Sequence, residues 1–308
     1  MGQNHILVSV PDSALREAFG AVPDGVELVE WDMAGPPPAA DIDIVVPPYM
    51  GGTGSLAALN GVAARLVQSQ SIGYDGVADA LPAGNVFANA VSVHETSTAE
   101  LAVALMLASQ RGLPEFVRSA GRGTWEPLRR ASLADRTVLI VGYGGVGKAI
   151  EERLRGFETT VVRVASRARE DAGGHVHGID ELPSLLPQAD IVVVGVPLNE
   201  ATTHLIDNGF LSLLQDGALV VNVSRGAVAD TDALLDHASR GRLRLALDVT
   251  DPEPLPDGHP LFALPNVIVT PHVGGASSAM MPRMARLLRS QAERMLRGEE
   301  PLNVVVRT

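Results

Sequence analysis

One short stretch restricts the fold of this chain more than any other. It is Gly142-Tyr143-Gly144-Gly145-Val146-Gly147, read between the apolar run Thr137–Val141 and a helical pattern at Lys148–Arg155. A strand that runs through glycines straight into a helix is the first half of a βαβ unit, and it commits the flanking chain to a parallel sheet. The first glycine allows the tight turn, the second lets backbone approach a pyrophosphate, and the third lets helix pack on strand. The N–H groups that open the helix, at Gly145, Val146 and Gly147, then face phosphate oxygens. The same residues, followed by Lys148, also satisfy the start of a P-loop. A P-loop needs Ser or Thr next to hold magnesium, and Ala149 stands there, so dinucleotide binding is the better reading.

The rest of the chain suits that unit. Short β-branched runs alternate with helical patterns nearly throughout, which reads as parallel α/β architecture. The N-terminal part predicts strands at Ile6–Val10, Val26–Trp31, Ile42–Val46 and Leu66–Gln70, with helices at Asp12–Phe19 and Ser55–Ala64. Gly35-Pro36-Pro37-Pro38 reads as a stiff connector. A long helix follows, with a capping box at Ser97-x-x-Glu100 and an apolar body, Leu101–Ala108, that should lie between layers or at a subunit contact. Strands at Val138–Val141, Thr160–Val164, Ile191–Val196, Ala218–Val223, Leu243–Val249 and Val267–Val269 are apolar almost without a break, as when helices cover both faces. A last amphipathic helix spans about Ser277–Arg297. At 308 residues the chain is long for one core and fits two domains.

Composition narrows the function classes. A hydrophobic content of 46% with 19% charged residues describes a globular protein. The net charge of −12 argues against nucleic acid or an anionic membrane as partner. With no cysteine, disulfides, thiolate nucleophiles and Cys-ligated metals are all excluded, and no metal is expected. Ile6–Val10 is only strand-length and no apolar stretch reaches the roughly 20 residues of a membrane span, so a cytoplasmic protein is expected. Lys148 is the single lysine, and it lies in a phosphate-loop setting rather than an apolar pocket suited to Schiff-base chemistry.

The strand after the glycine loop bears on which dinucleotide is held. A chain preferring NAD places Asp or Glu roughly 20 residues after the glycines, to bond the ribose 2′-hydroxyl. Here the strand ends in Ala165-Ser166-Arg167, with Arg169 close behind. Ala165 cannot accept that bond, while Ser166 can donate to a phosphate and Arg167 can pair with it in a charge-assisted fork. NADP(H) is therefore expected over NAD(H). Three more strand exits carry chemistry: Arg225 in Asn222-Val223-Ser224-Arg225-Gly226, Glu253 in Asp251-Pro252-Glu253-Pro254, and His272 in Thr270-Pro271-His272. An arginine, an acid and a histidine at such exits are the parts needed to hold a carboxylate and move one proton.

Together these segments resemble the D-isomer-specific 2-hydroxyacid dehydrogenase family. The resemblance runs over nearly the whole chain, through Ser71-Ile72-Gly73-Tyr74-Asp75, Ala99-Glu100, Gly142–Gly147, Val196-Pro197-Leu198, Asn222–Gly226, Asp248–Pro254 and Thr270–Gly275, in that order. It implies two Rossmann/flavodoxin-like parallel-sheet domains with the cleft between them. Residues 1–95 with 277–308 would form a discontinuous substrate-binding lid, and 96–276 the dinucleotide-binding domain. It also implies that Arg225 holds the substrate carboxylate and the reacting oxygen, that His272 hands a proton to the carbonyl as hydride arrives, and that Glu253 orients the His272 ring. Backbone N–H groups of Ser71, Ile72 and Gly73 would bind the carboxylate as well. Val196, Pro197, Val223, Ser224, Asp248, His272 and Gly274 would line the cofactor.

The cofactor signature is similar to that of NADP-dependent glyoxylate and hydroxypyruvate reductases, which implies reduction of a small 2-oxo acid to the D-2-hydroxy acid by a homodimer. Trp125 resembles an aromatic that some of these lend to the partner's active site; packing at the dimer contact without touching substrate is the other reading. Asn199 departs from the Thr usual after Pro-Leu, and it can still hydrogen-bond. The alternative function is a non-catalytic NADP-sensing or scaffold protein on the same fold. The intact set of Arg225, Glu253 and His272 counts against it.

Overall fold

The structure, a computed structural model, describes residues 5–308. It divides into two compact units: one runs to His94 and resumes at Ser277–Thr308, and the other is Glu95–Ala276.

The first unit opens with β1 (Ile6–Val10), α1 (Ser13–Phe19), β2 (Val26–Glu30) and β3 (Asp41–Val45), then β4 (Ala63–Gln68), α2 (Val77–Ala80) and β5 (Val86–Ala88). Asp12 starts α1 by accepting the Leu15 N–H at 2.8 Å, so the predicted first residue is the cap and not the first turn. The second unit holds α3 (Glu95–Arg111), α4 (Leu113–Gly121), β6 (Thr137–Val141), α5 (Gly145–Leu154) and β7 (Thr160–Ala165). It continues through β8 (Arg169–Asp171), β9 (Gly174–Gly178), α6 (Leu182–Leu185), β10 (Ile191–Val194), α7 (Asn208–Leu213) and β11 (Leu219–Asn222). It ends with α8 (Thr231–Ser239), β12 (Arg244–Leu247) and β13 (Val267–Val269), and the chain then returns to the first unit with α9 (Met280–Leu296) and β14 (Val304–Arg307).

The first unit is built on a six-stranded sheet in the order β14-β5-β4-β3-β1-β2, parallel except for β14. Side chains alternate between its faces with the period of two that a strand imposes. Val8 and Val10 pack with Phe19 of α1 and with Met284 and Leu288 of α9. Ile42, Val45 and Val67 face the other way, toward Trp31, Leu59 and Phe87. The second unit has eight strands in the order β13-β12-β11-β10-β6-β7-β9-β8, parallel except for β8. Leu139 and Val141 of β6, with Val192 and Val194 of β10, meet Phe210 of α7 and Leu234 of α8. Val138 and Ile140, with Ile191 and Val193, meet Met106 of α3 and Ile150 and Leu154 of α5. Each such side chain removed fully from water contributes about 1.5–3 kcal/mol before chain entropy is set against it.

Several elements differ from the sequence expectation for local reasons. The helix predicted at Ser55–Ala64 is a 3₁₀ turn, Thr53–Leu59, because Gly61 at φ +85° reverses the chain and Ala63 already belongs to β4. The long helix starts at Glu95, so Ser97 lies buried inside its first turn and is not its cap. The hairpin β8–β9 and the strands β5 and β14 are additional to the predicted set. Among the described residues no helix is long and apolar enough to cross a membrane.

Candidate active site

The second sheet reverses its winding between β6 and β10: from β6 the chain steps outward to β7, and then it crosses back to β10 and on to β13. In an open parallel sheet this switch point, at the carboxyl ends of the strands, is where ligands bind. Every strand exit singled out in the sequence of this unit lies along that edge.

At the exit of β6 the glycine loop is shaped by close approach. Gly142 adopts φ +102°, and a Cβ there would stand 2.6 Å from the Gly195 carbonyl at the exit of β10. A Cβ on Gly147 would stand 2.5 Å from the Gly142 oxygen, so only glycine lets α5 press against β6. At Gly144 nothing lies within 4 Å, and the backbone there has the room a pyrophosphate needs. Gly144 directly precedes the first turn of α5 at Gly145, Val146 and Gly147, whose orphan N–H groups form an anion-binding end. The donor set and its cradle fit a dinucleotide.

Tyr143, within the loop, donates to Glu151 of α5, and Glu151 also accepts from Arg163 of β7. Burial first and the Glu151 carboxylate second push the Tyr143 phenol up to about 12, so it remains a donor at neutral pH. The hydrogen bond to Glu151 likewise raises Arg163 above its ordinary range.

β7 ends at Ala165, and Ser166 and Arg167 follow it, both exposed. Arg169, noted in the sequence only as a neighbour, turns back to the glycine loop and donates to the Tyr143 carbonyl at 2.9 Å. Val196 and Pro197 follow β10, and Val223 and Ser224 follow β11. Asn222 organises the latter exit. Its Oδ1 accepts from the Ser224 N–H at 3.0 Å and the Ser224 hydroxyl at 2.6 Å, and its Nδ2 donates to the Arg225 carbonyl at 3.1 Å. Arg225 itself donates to the Ser224 carbonyl at 2.7 Å. Gly226 is required next, because a Cβ would fall 1.8 Å from the Thr250 oxygen beyond β12.

Asp248, just past β12 and 2% exposed, is the support for the last exit. One carboxylate oxygen accepts from the Thr270 hydroxyl at 2.6 Å and the Val273 N–H at 2.9 Å, and the other accepts from the Gly274 N–H at 2.8 Å. Its carbonyl accepts the His272 N–H at 2.7 Å. These bonds hold His272 at φ +52°, a left-handed conformation uncommon outside glycine. In that pose His272 Nδ1 lies 2.6 Å from Glu253 Oε1. Nδ1–H therefore donates to the carboxylate, and Nε2 is the ring nitrogen that this pair does not engage. Asp248 thus takes four donors on the His272 loop.

The Ser71–Gly73 loop belongs to the first unit. There the Ser71 N–H donates to Ser69 Oγ at 2.9 Å, which leaves the N–H groups of Ile72 and Gly73 as the ones this loop can offer. Two neighbours missed in the sequence fix the loop: Asn89 Nδ2 donates to the Ile72 carbonyl at 2.9 Å, and the His94 ring donates to the Gln70 carbonyl at 2.5 Å. His94 stacks on Tyr49 with ring centroids 5.8 Å apart. A lone histidine at a helix start carries no periodic signal, so only the fold reveals this role.

A parallel sheet with a glycine loop at its switch point and a carboxylate-held histidine on the same edge defines a dinucleotide-dependent oxidoreductase domain. Residues 103–274 match the model of the D-isomer specific 2-hydroxyacid dehydrogenase, NAD binding domain, and the chain belongs to that family. It is 32% identical over 294 residues to the human glyoxylate reductase/hydroxypyruvate reductase, covering 89% of each chain. It is 33% identical over 256 residues to the glyoxylate reductase of Pyrococcus horikoshii, covering 79% of this chain and 76% of that one. Among solved structures, a D-isomer specific 2-hydroxyacid dehydrogenase from Xanthobacter autotrophicus Py2, in complex with NADPH and MES, superposes with a TM-score of 0.82 at 27% identity, covering 98% of both chains. An NADPH-dependent glyoxylate/hydroxypyruvate reductase from Sinorhizobium meliloti, in complex with NADP and malonate, gives 0.79 at 27% identity, covering 99% of this chain and 97% of that one.

Proposed function

We propose that this protein is an NADP(H)-preferring reductase that converts a small 2-oxo acid of the glyoxylate or hydroxypyruvate class to the D-2-hydroxy acid. The observation that carries the reading is the His272–Glu253 pair at 2.6 Å, held by Asp248 on the sheet edge that also bears Arg225 and the glycine loop. A bound nicotinamide supplies the hydride. The guanidinium of Arg225 offers parallel donors to the substrate carboxylate and to the oxygen on which charge develops. His272 Nε2 gives that oxygen its proton, and Glu253 keeps the ring oriented through Nδ1. In the first unit, Ile72 and Gly73 are assigned N–H bonds to the substrate carboxylate.

The cofactor would be held by Gly142, Gly144, Gly145, Val146 and Gly147 on the pyrophosphate, with Val196, Pro197, Val223, Ser224, Asp248 and Gly274 along the remaining length. NADP(H) preference is supported by Ala165 in place of an acid and by the exposed Ser166 and Arg167 beside it. NADP-bound relatives from Xanthobacter and Sinorhizobium support it further. A homodimer through the second unit is part of the reading: Leu113 and Val117 on α4, and Trp125 and Leu128 in the arm that follows, expose apolar side chains.

The experiment is NADPH and NADH oxidation with a panel of 2-oxo acids, run on the wild type and two variants. His272→Ala should lower turnover by roughly 100- to 10,000-fold while NADPH still binds. Arg167→Ala should weaken NADPH about tenfold or more and leave NADH nearly unchanged. Equal losses for both cofactors would remove the 2′-phosphate argument. No turnover on any acid, with NADPH bound normally, would favour the nucleotide-binding scaffold instead.

A further inference from the structure

The β8–β9 hairpin carries a group of side chains that the oxidoreductase chemistry does not use. β9 reads Gly174-His175-Val176-His177-Gly178, and side chains alternate along a strand. Val176 enters the core, so His175 and His177 share the opposite face, where their rings meet edge to face with centroids 4.5 Å apart. Glu181, one turn further on, reaches back to them. Its Oε1 accepts the Gly178 N–H at 2.8 Å, and its Oε2 lies 2.8 Å from His177 Nδ1. One ligand atom from each of His175, His177 and Glu181 lies within 4.8 Å of the other two. Glu170, across the hairpin on β8, accepts from His175 Nδ1 at 2.7 Å.

Two imidazoles and a carboxylate make a donor set suited to borderline-soft divalent metals, where a purely acidic cluster would suit calcium or magnesium. Glu170 supplies what metal-binding histidines commonly have, a carboxylate on one ring nitrogen that leaves the other to ligate. The hydrogen bond from His177, and then the Gly178 N–H, hold the Glu181 carboxyl below the usual range, so it is ionised at neutral pH. Ligand atoms of a tetrahedral zinc stand about 3.3 Å apart for bonds of roughly 2.0–2.1 Å. The His177–Glu181 pair is already near that spacing, and the half-exposed ring of His175 can rotate to complete it.

The geometry points to a surface site for one divalent transition metal of the zinc class, held by His175, His177 and Glu181 with its fourth position open to water. It is separate from the His272–Glu253 pair and sits on the strand beside β7, with His177 opposite Val164 and Gly178 opposite Ala165. Chelator-treated full-length protein titrated with ZnCl₂ by calorimetry, with Co²⁺ absorption as a second probe of the donor set, tests it. At pH 7.5 the wild type and His272→Ala should each take up one metal per chain, with Kd on the order of micromolar. The double variant His175→Ala/His177→Ala should bind at least tenfold more weakly, with unchanged melting and unchanged turnover. Glu181→Gln, a milder change, should also weaken binding. Lowering the pH to 5.5 should weaken wild-type binding at least tenfold, because the imidazoles must shed protons to ligate. Absence of saturable binding in the wild type, or equal affinity in the double variant, would overturn the site.

Discussion

At the sheet edge of the second unit single atoms decide what can stand where. A Cβ at Gly226 would lie 1.8 Å from the Thr250 oxygen, and one at Gly274 would lie 2.9 Å from the Asp248 carboxylate. Both glycines exist so that neighbouring strand exits can touch, which is how Arg225 and His272 come to share an edge. The glycine loop separates two reasons for having no side chain. Gly147→Ala would set a methyl 2.5 Å from the Gly142 oxygen and 3.1 Å from Ile140, against backbone that cannot yield cheaply. Overpacking of this kind costs about 1–3 kcal/mol, so the melting temperature should fall by roughly 3–10 °C. Gly144→Ala meets nothing within 4 Å and should melt within about 1 °C of the wild type. It should nonetheless bind NADPH at least tenfold more weakly, because its methyl takes the space a pyrophosphate approaches through. Differential scanning fluorimetry and NADPH titration on both variants check this. Equal thermal losses, or unimpaired NADPH binding by Gly144→Ala, would show that the two glycines do not divide their roles in this way.

Among the elements, those covered on both faces were the legible ones. β6, β10, β11 and β12 are apolar without alternation because helices pack on either side of them, and their ends follow from the sequence to within two residues. The edge hairpin β8–β9 was not legible: Arg169-Glu170-Asp171 and Gly174–Gly178 carry one buried apolar residue between them, Val176, and polar strands give no period. β14 pairs with β5 across more than 200 positions of sequence, a partnership that no local pattern encodes. At the site, Arg225, Glu253 and His272 could be picked out because their residue types stand at strand exits. Asp248 is named there too, through the resemblance, but its hold on the His272 loop is not legible, since its carboxylate acts through backbone N–H groups some 25 positions away that only the fold brings near. The amphipathic α4 is the element that looks outward, with Val117 71% exposed and Trp125, shortly after it, 93% exposed. If this face closes a homodimer, the wild type should elute with light-scattering mass twice that of one chain, and Val117→Asp should shift it toward monomer by placing a charge in an apolar contact. A monomeric wild type at micromolar concentration would refute the dimer.

On the scale of the whole molecule, two opposing contributions bear on stability against pH. The net charge of −12 repels itself, and acidification toward the isoelectric point relieves that repulsion. His237 works the other way. It is 6% exposed on α8; its Nδ1 accepts from Arg242 Nε at 2.8 Å, and its Nε2–H donates to Asn208 Oδ1 at 3.0 Å. Burial first, and the Arg242 guanidinium second, hold its pKa below the ordinary histidine range. The folded chain therefore refuses a proton that the unfolded chain accepts once pH drops below about 6.5. More protons bound by the unfolded state means stability that is present above that value and lost as pH falls through the window beneath it. Comparing variants cancels the global charge contribution, since both chains carry it. His237→Gln should be less stable than the wild type at pH 7.5, having exchanged a fitted ring for a flexible amide, yet its melting temperature should fall less than the wild type's between pH 7.5 and 5.5. Parallel melting curves across that interval would mean that the buried ring takes up its proton without opening the α7–α8 corner, and that acid sensitivity resides elsewhere in the molecule.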